Sequence, residues 1–482
     1  MRNFSSLKAP FYYEGKIDKP IVVLYLAINL LVLINIILHH PVIGYDAKEN
    51  LKYIRSLPYQ LPDDTDTREF FSAPLPYFLP SLIDKACLIW SESEISPGVI
   101  DNCMVLSGRS AQALNVILSL GVTYFVIKIA GFVRPGRQYL KISALLMLGV
   151  MTVYYKTFSQ VRGEPYLLFF TIWAIYLIVR MTYSREHVTW AYGISPGIIL
   201  GFMLLSRQWG FMLLPAIAGL WTLIILIDKS NRWRFTSSLF VCAIVAFLMC
   251  GWFYLSLYIR YGSMFAFNKS PLTFSFSNQP VSFYRHTGLQ EFRLFKYPTR
   301  DTFNNQLFPI FYSEMWGDYW GYFVFIQDRS ILGQMGYGNK ELVAPYLGRV
   351  NAVSLLPSLI LFAGIVSASL TSLKVIGKDA EEKNRSLYCT FLLLFVFASL
   401  LLYLYFLVVY PIPDQGDTIK ATYLLHAMVV LSLLGGEFLD GVLARNPRIY
   451  YFILILLGLV FAHNLPAMIT RHWFFSHNIT FP

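Results

Sequence analysis

Long apolar runs separated by short basic clusters recur along the whole chain, and their lengths predict helices that cross a bilayer. Such a helix needs about 20 mostly apolar residues, because hydrocarbon offers a backbone amide no partner and a helix satisfies its own. The first run, about Ile21 to His39, follows Arg2, Lys8, Lys16 and Lys19, which places the N-terminal segment in the cytoplasm. It is too long for a signal-peptide core and has no small-residue cleavage site after it, so it reads as a signal anchor. From Pro41 to about Arg109 the pattern is mixed. The apolar stretch Leu75 to Ile89 is too short and too rich in proline to span, and reads as an interfacial or re-entrant helix.

A second span, about Ala111 to Phe132, ends on Arg134, Arg137 and Lys141, and a short third, about Ile142 to Tyr155, leads to an outer turn over Lys156 to Pro165. A fourth span ends near Arg180 and Arg185, and the fifth and sixth meet in a tight turn at Arg207-Gln208-Trp209-Gly210. Lys229, Arg232 and Arg234 precede the seventh, about Ser238 to Tyr258, and a long polar and aromatic segment runs from Arg260 to about Arg349. The eighth ends at Lys374 to Arg385, the ninth at Tyr410, the tenth at Arg445 and Arg448, and the eleventh leaves the C-terminus outside. The expected fold is therefore all-α and integral to a membrane, with about eleven spanning helices. It divides into an N-terminal transmembrane catalytic module over 1–260 that includes an external loop at 41–109, an external segment at 261–349, and C-terminal transmembrane helices over 350–482.

Composition agrees. Of 482 residues 56% are hydrophobic and 14% charged, more apolar surface than one soluble core can hide. The formal charge of +11 would suggest nucleic acid in a soluble protein, but here the lysines and arginines sit between apolar runs, as the positive-inside rule requires. Three of the five cysteines, Cys242, Cys250 and Cys389, lie within apolar runs, and no Cys-x-x-Cys or Cys/His cluster suggests zinc. Cys87 and Cys103 share the first external loop, where an oxidising compartment permits a disulfide without requiring one. Sequons at Asn268 and Asn478 fall on the external side.

Under this topology unusual polar residues converge on the external side: Asp46 and Glu49 after the first span, Arg162 and Glu164 before the fourth, Arg207 between the fifth and sixth, and Lys420 before the tenth. Carboxylates facing cations suit a reaction in which a nucleophile loses a proton while a phosphate departs. Asp46 stands out, because an aromatic-flanked acid at the end of an apolar span costs free energy unless it is used. Lys48, Lys52 and Arg55 read as solvated or headgroup-facing.

Tyr45-Asp46-Ala-Lys-Glu49-Asn-Leu-Lys-Tyr53-Ile, followed by Phe71-Ser-Ala-Pro74-Leu-Pro-Tyr77, resembles the first external loop of polyprenyl-phosphate-dependent glycosyltransferases of the GT-C fold, among them protein O-mannosyltransferases and bacterial lipid A aminoarabinose transferases. Arg162-Gly-Glu164-Pro165 is similar to that family's acidic-Pro motif, Arg207-Gln-Trp-Gly210 to its basic turn, and Lys420-Ala-Thr-Tyr423 to the Lys and Tyr that open a late span. The chain departs from the family's pattern where adjacent acids are common (Asp46-Ala47), where a His precedes the prolines (Ser72-Ala73), and where Lys is common (Arg207).

The resemblance implies a polyprenyl-phosphate sugar donor, a lipid, glycan or protein acceptor arriving from the external side, membrane lipids as surroundings and no nucleic acid. It makes Asp46 the general base and Glu164 its supporting acid. Arg207, Lys420 and Arg162 become the groups that bind the leaving phosphate. Asp46 and Glu164 with a phosphate offer the hard oxygen ligands that suit Mg²⁺ or Mn²⁺, or else the arginines and lysine neutralise the charge alone. Glu49, Tyr45, Tyr423 and the aromatic cluster around Trp316 and Asp318 are the expected substrate pocket, the cluster reading equally as an interface belt. The competing class, a transporter or lipid flippase, needs polar groups near mid-membrane, whereas these charges fall at helix ends. A prokaryotic plasma membrane is the favoured location, with the endoplasmic reticulum as the alternative.

Overall fold

In a computed structural model of the protein, residues 10–13, 16–91, 101–285, 292–300, 302–324, 340–376, 380–413, 416 and 418–470 are described. Helices α1 (Lys19–Leu38), α2 (Ala47–Ser56), α3 (Leu75–Ser91), α4 (Asn102–Val133), α5 (Gln138–Gly149), α6 (Thr152–Ser159), α7 (Glu164–Tyr183), α8 (Ile194–Leu204), α9 (Leu213–Ile227) and α10 (Arg232–Tyr261) form the first half of it. The turn α11 (Val281–Tyr284) and helices α12 (Leu307–Trp316), α13 (Lys340–Val353), α14 (Leu355–Ser372), α15 (Ala380–Val409), α16 (Leu425–Arg445) and α17 (Pro447–Asn464) follow. Among the described residues the only strands are Tyr12–Tyr13 and Lys16–Ile17, a two-residue hairpin.

Nine of the described helices are long and apolar enough to cross a membrane. The bent pair α5–α6 makes ten if it is counted as one span, and where the sequence pattern predicts a fifth span the structure has a shorter apolar helix, Trp190–Leu204. The chain is a multi-pass integral membrane protein. Side-chain caps set several boundaries: Asp18 accepts from the Ile21 amide, Asp101 from Met104 (2.9 Å), and Asn446 from Arg448 and Ile449, with Pro447 fitting the first helical turn.

Helices α7 and α16 carry the most buried spans, with α4 and α15 next; α4 and α16 pack on α5 and α7 packs on α4, while α10, α14 and α17 turn apolar faces outward as lipid requires. The expected third span is not straight. It bends by 65° between α5 and α6, with no proline at the break, and α6 runs on through Lys156, where the sequence suggested an outer turn. Every residue of α6 is buried, so packing sets the bend, and its direction carries Lys156 against α12. Likewise α4 begins at Asn102, well before the expected Ala111.

The loop-one helix forms as expected. α3 exposes Phe78, Leu79, Leu82, Ile83, Ile89 and Trp90, an apolar face for a membrane surface. It is tied to α4 by a Cys87–Cys103 disulfide, so the pairing that loop one allows is formed. Arg55, expected to be solvated, instead pairs with Asp84 of α3 (2.6 Å) and with the α4 cap Asp101 (2.9 Å), joining α2, α3 and α4. The exposed sequon Asn268 lies in the loop after α10, and Asn478 lies outside the described residues.

Candidate active site

Four chain segments far apart in sequence meet at one end of the helices: the start of α2, the junction of α6 and α7, the turn between α8 and α9, and the lead into α16. Gly44, at φ +143°, lets the chain turn closely past Gln160, whose side chain would lie 2.9 Å from any Cβ there. Two residues on, Asp46 takes the left-handed conformation (φ 54°) at the head of α2, an uncommon choice for a non-glycine residue. Its carboxylate does not cap α2, and 44% of the side chain remains accessible.

Lys420 Nζ lies 3.3 Å from Asp46 Oδ2. The Lys420 charge, with Arg162 and Arg207 behind it, holds the Asp46 carboxyl below the usual carboxylate range against the opposing effect of its surroundings. Tyr45 and Tyr423 both face the two nearest cations. The Tyr45 ring is 4.9 Å from Lys420 Nζ and 5.2 Å from the Arg162 guanidinium, and the Tyr423 ring 5.8 Å from each.

Deeper in, charges alternate. Arg162 makes a two-pronged pair with Glu164 (2.6 and 2.9 Å), and Arg207 Nη2 reaches the same carboxylate at 3.1 Å. Arg207 Nη1 then meets Glu69 (3.1 Å) and Ser72 Oγ (2.7 Å), and Ser72 donates to Glu69. Gly163 makes the approach of the two arginines' segments feasible, since a Cβ there would stand 2.7 Å from Arg207 Cδ and 2.8 Å from the Ser206 carbonyl. Arg162 Nη1 is buried without a hydrogen-bond partner in this structure, so one donor of the fork remains for a ligand oxygen. The acids Asp46, Glu69 and Glu164 and the bases Arg162, Arg207 and Lys420 balance in sign when all are ionised. Burial pushes the Glu69 carboxyl up, partly opposed by Arg207 and reinforced by Asp46.

Below Asp46 lies a second, fully buried layer. The Tyr45 hydroxyl donates to Glu314, which also holds the Lys156 ammonium, and Lys156 reaches the Glu314 carbonyl (3.1 Å). Burial pushes the Glu314 carboxyl up, with Lys156 pulling the other way. Lys156 stands 3.9 Å from Asp318.

The sequence-derived residues are thus brought together unevenly. Asp46, Glu164, Arg162, Arg207, Lys420, Tyr45 and Tyr423 share the site. Glu49 turns away, accepting from Lys52, Thr67 and the Arg68 amide, and so braces loop one. Trp316 and Asp318 do not line the opening: both are fully buried, and Asp318 accepts the amides of Tyr322, Phe323 and Val324. Sequence reasoning missed Glu69, Lys156 and Glu314. Glu69 carried a usable signal, an acid three residues before Ser72 in the loop-one motif; the other two needed the α5–α6 bend to meet.

The residues do not fit a metal centre as arranged. Both Glu164 oxygens face guanidinium groups, Asp46 faces an ammonium, and the described residues contain no group of three His, Cys, Asp or Glu side chains placed to hold an ion.

No family model and no curated protein matches the chain. Among solved structures it is similar to ArnT from Cupriavidus metallidurans bound to undecaprenyl phosphate, at 11% identity over 91% of this chain and 63% of that one, with a TM-score of 0.46. It is also similar to an Archaeoglobus fulgidus oligosaccharyltransferase in complex with Zn and sulfate (15% identity, 94% of this chain, 53% of that one, TM-score 0.47). A third is the archaeal oligosaccharyltransferase AglB from Archaeoglobus fulgidus in complex with an inhibitory peptide and a dolichol-phosphate (13%, 93%, 56%, TM-score 0.46). The chain spans between about half and just under two thirds of the length of these proteins.

Proposed function

We propose that the chain is a membrane glycosyltransferase of the GT-C type that moves a sugar from a polyprenyl-phosphate donor to an acceptor, with inversion at the anomeric carbon. The observation that carries this is the convergence of Arg162, Arg207 and Lys420 around an accessible carboxylate, Asp46, at the ends of membrane helices. A lipid-linked phosphate arrives at that depth, and cations held by protein side chains stabilise the charge it gains as the sugar leaves.

The acceptor's oxygen forms a bond to the anomeric carbon as the bond from that carbon to the phosphate oxygen breaks. Asp46 takes the acceptor's proton, and the polyprenyl phosphate leaves with the bonding electrons. Arg162, with its unused Nη1, Lys420 and Arg207 receive the phosphate oxygens, Arg by its fork geometry. Glu164 holds the two guanidinium groups at the right spacing, and Tyr45 and Tyr423 wall the pocket between them. The acceptor is a lipid, glycan or protein, and the sugar a hexose or pentose. The N-terminus is cytoplasmic and the site extracytoplasmic, in a prokaryotic plasma membrane by preference.

The test is sugar transfer by purified protein from a panel of radiolabelled polyprenyl-phosphate sugars, with and without candidate acceptors, comparing wild type with Asp46→Asn. Acceptor-dependent transfer lost in the variant is the expected result. Equal transfer by both proteins removes Asp46 as the base.

A further inference from the structure

The loop after α10 is expected in water from its place in the sequence, yet its surface is that of a lipid-facing segment. From Met264 to Tyr284 it carries a single charged residue, Lys269, and five phenylalanines. Leu272, Phe274, Phe276 and Val281 are among its exposed side chains, Val281 at 67% and Phe276 at 58%. In a water-filled loop such an exposed group of apolar side chains would be costly.

Two independent features say what covers it. The apolar surface is continuous with a membrane span: Phe274 stacks on Tyr405 of α15 at 5.5 Å with the rings nearly parallel, and Tyr405 belongs to the outward face that α15 shares with Leu401 and Phe397. Phe276 packs on Phe274 and on Tyr284, extending that face past the end of the helix.

The second feature is how α15 ends. A helix terminus leaves its last carbonyls without intrahelical partners, and side chains, neighbouring backbone or water must meet them. Here the loop does so itself: the Leu272 amide donates to the Val409 carbonyl (3.0 Å), Asn278 Nδ2 to Val408 (3.1 Å) and Gln279 Nε2 to Leu407 (2.6 Å). Gln279 is in turn held by Asn305 (2.8 Å). Carbonyls met by protein donors are what a helix end needs where water is scarce.

We propose that Leu272 to Tyr284 is an interfacial strap, seated in the lipid leaflet nearest the site with Phe274, Phe276 and Val281 among the acyl chains, and that its partner is the bilayer itself. Its root, Ala266–Phe267, touches the site's surroundings: Gln208 donates to the Ala266 carbonyl (3.3 Å), and Phe267 packs on Phe71 of loop one at 4.3 Å. The strap therefore joins the leaflet surface to the turn that bears Arg207. Lys269, two residues beyond that root and exposed, stays in water.

The inference does not depend on the proposed reaction, and it is tested without measuring activity. Phe276→Cys and Val281→Cys are labelled with a nitroxide, with Lys269→Cys as the aqueous control, and reconstituted in phosphatidylethanolamine/phosphatidylglycerol vesicles. Wild type taken through the same labelling sets the background, since Cys242, Cys250 and Cys389 are buried and Cys87 and Cys103 are paired. Collision with oxygen, which concentrates in lipid, is compared with collision with a water-soluble nickel chelate. The expected result is an oxygen-to-chelate ratio several-fold higher at 276 and 281 than at 269. Chelate access at 276 and 281 equal to that at 269 would make the strap an aqueous loop and overturn the proposal. Exclusion of both reagents would also overturn it, by showing a protein partner in place of lipid. Two labelled positions keep the test valid should one variant fail to fold.

Discussion

Lys420 Nζ lies 3.3 Å from Asp46 Oδ2, so the proposed base and one proposed phosphate ligand are partners before either has a substrate. The pair has a kinetic signature. Lys420 is the largest influence holding the Asp46 carboxyl down, so the acid limb of kcat/KM for wild type is expected below the ordinary carboxylate range. In Lys420→Met the carboxyl loses that influence and protonates at higher pH, so the acid limb moves upward. Asp46→Asn loses transfer by roughly 10²–10⁴-fold at all pH values. A pH–rate profile of Lys420→Met that overlays wild type would show that the two residues do not act on one another during turnover.

Arg207 separates two buried acids, Glu164 and Glu69, and touches both at 3.1 Å. Removing it as Arg207→Met leaves Glu69 without its cation and Glu164 with Arg162 alone, a change that costs on the order of 3–5 kcal/mol where a buried partner is lost. Arg207→Lys keeps the charge but cannot fork between Glu69, Ser72 and Glu164, so it retains most of the stability and loses binding. The expected outcome is a markedly lowered Tm for the Met variant. For the Lys variant, Tm stays near wild type and the Kd for a polyprenyl phosphate rises roughly 10–100-fold, as the loss of one charge-assisted pair predicts. Equal Kd values for wild type and Arg207→Lys would take Arg207 out of the phosphate subsite.

Glu314 is bonded to Lys156 and holds the hydroxyl of Tyr45, the residue before the proposed base. A buried Lys156–Glu314 pair contributes little net stability once its desolvation is counted, so its place under Asp46 points to positioning. Glu314→Gln still accepts from Tyr45 and is expected to keep a substantial part of kcat, whereas Glu314→Leu is expected to lower kcat at least tenfold with the donor KM little changed. Tyr45→Phe removes only the hydroxyl and is expected to resemble Glu314→Leu in kcat without its loss of Tm. Parallel losses in kcat and Tm across all three variants would leave Glu314 a purely structural residue.

The helices were legible because hydropathy and the positive-inside pattern act locally, one run at a time, and the charged site residues were legible because acids and arginines at helix ends are costly enough to stand out. What escaped depended on tertiary geometry. The bend after Gly149 has no proline to announce it, and it alone brings Lys156 to Glu314. Arg55 and Glu49 looked solvated or substrate-facing on a short amphipathic helix, but α3, the α4 cap and Thr67 supply their partners from elsewhere in the chain. Asp318 and Trp316 sit in an aromatic run that reads equally as pocket or interface belt, and in the fold both are buried in the interior.

Gly163 offers a test of how closely the arginine-bearing segments must approach. It is the N-cap of α7 in an ordinary helical conformation (φ −84°), so alanine there meets no backbone strain, though alanine is a poorer N-cap than glycine. The main obstacle is space: the new methyl would stand 2.7 Å from Arg207 Cδ, a side-chain atom able to shift, and 2.8 Å from the Ser206 carbonyl, which belongs to the backbone. Relief must come by moving the Ser206–Arg207 turn away from α7, which lengthens the Arg207–Glu164 contact from its present 3.1 Å. Gly163→Ala is therefore expected to destabilise by about 1–3 kcal/mol, the usual cost of overpacking, and to weaken donor binding more than Tm alone would suggest. The combined variant Gly163→Ala with Arg207→Lys, which lacks the fork that the displacement disturbs, should show less than the sum of the two losses in Kd. Additive losses would mean that Gly163 is needed for packing at the head of α7 and has no part in setting the arginine.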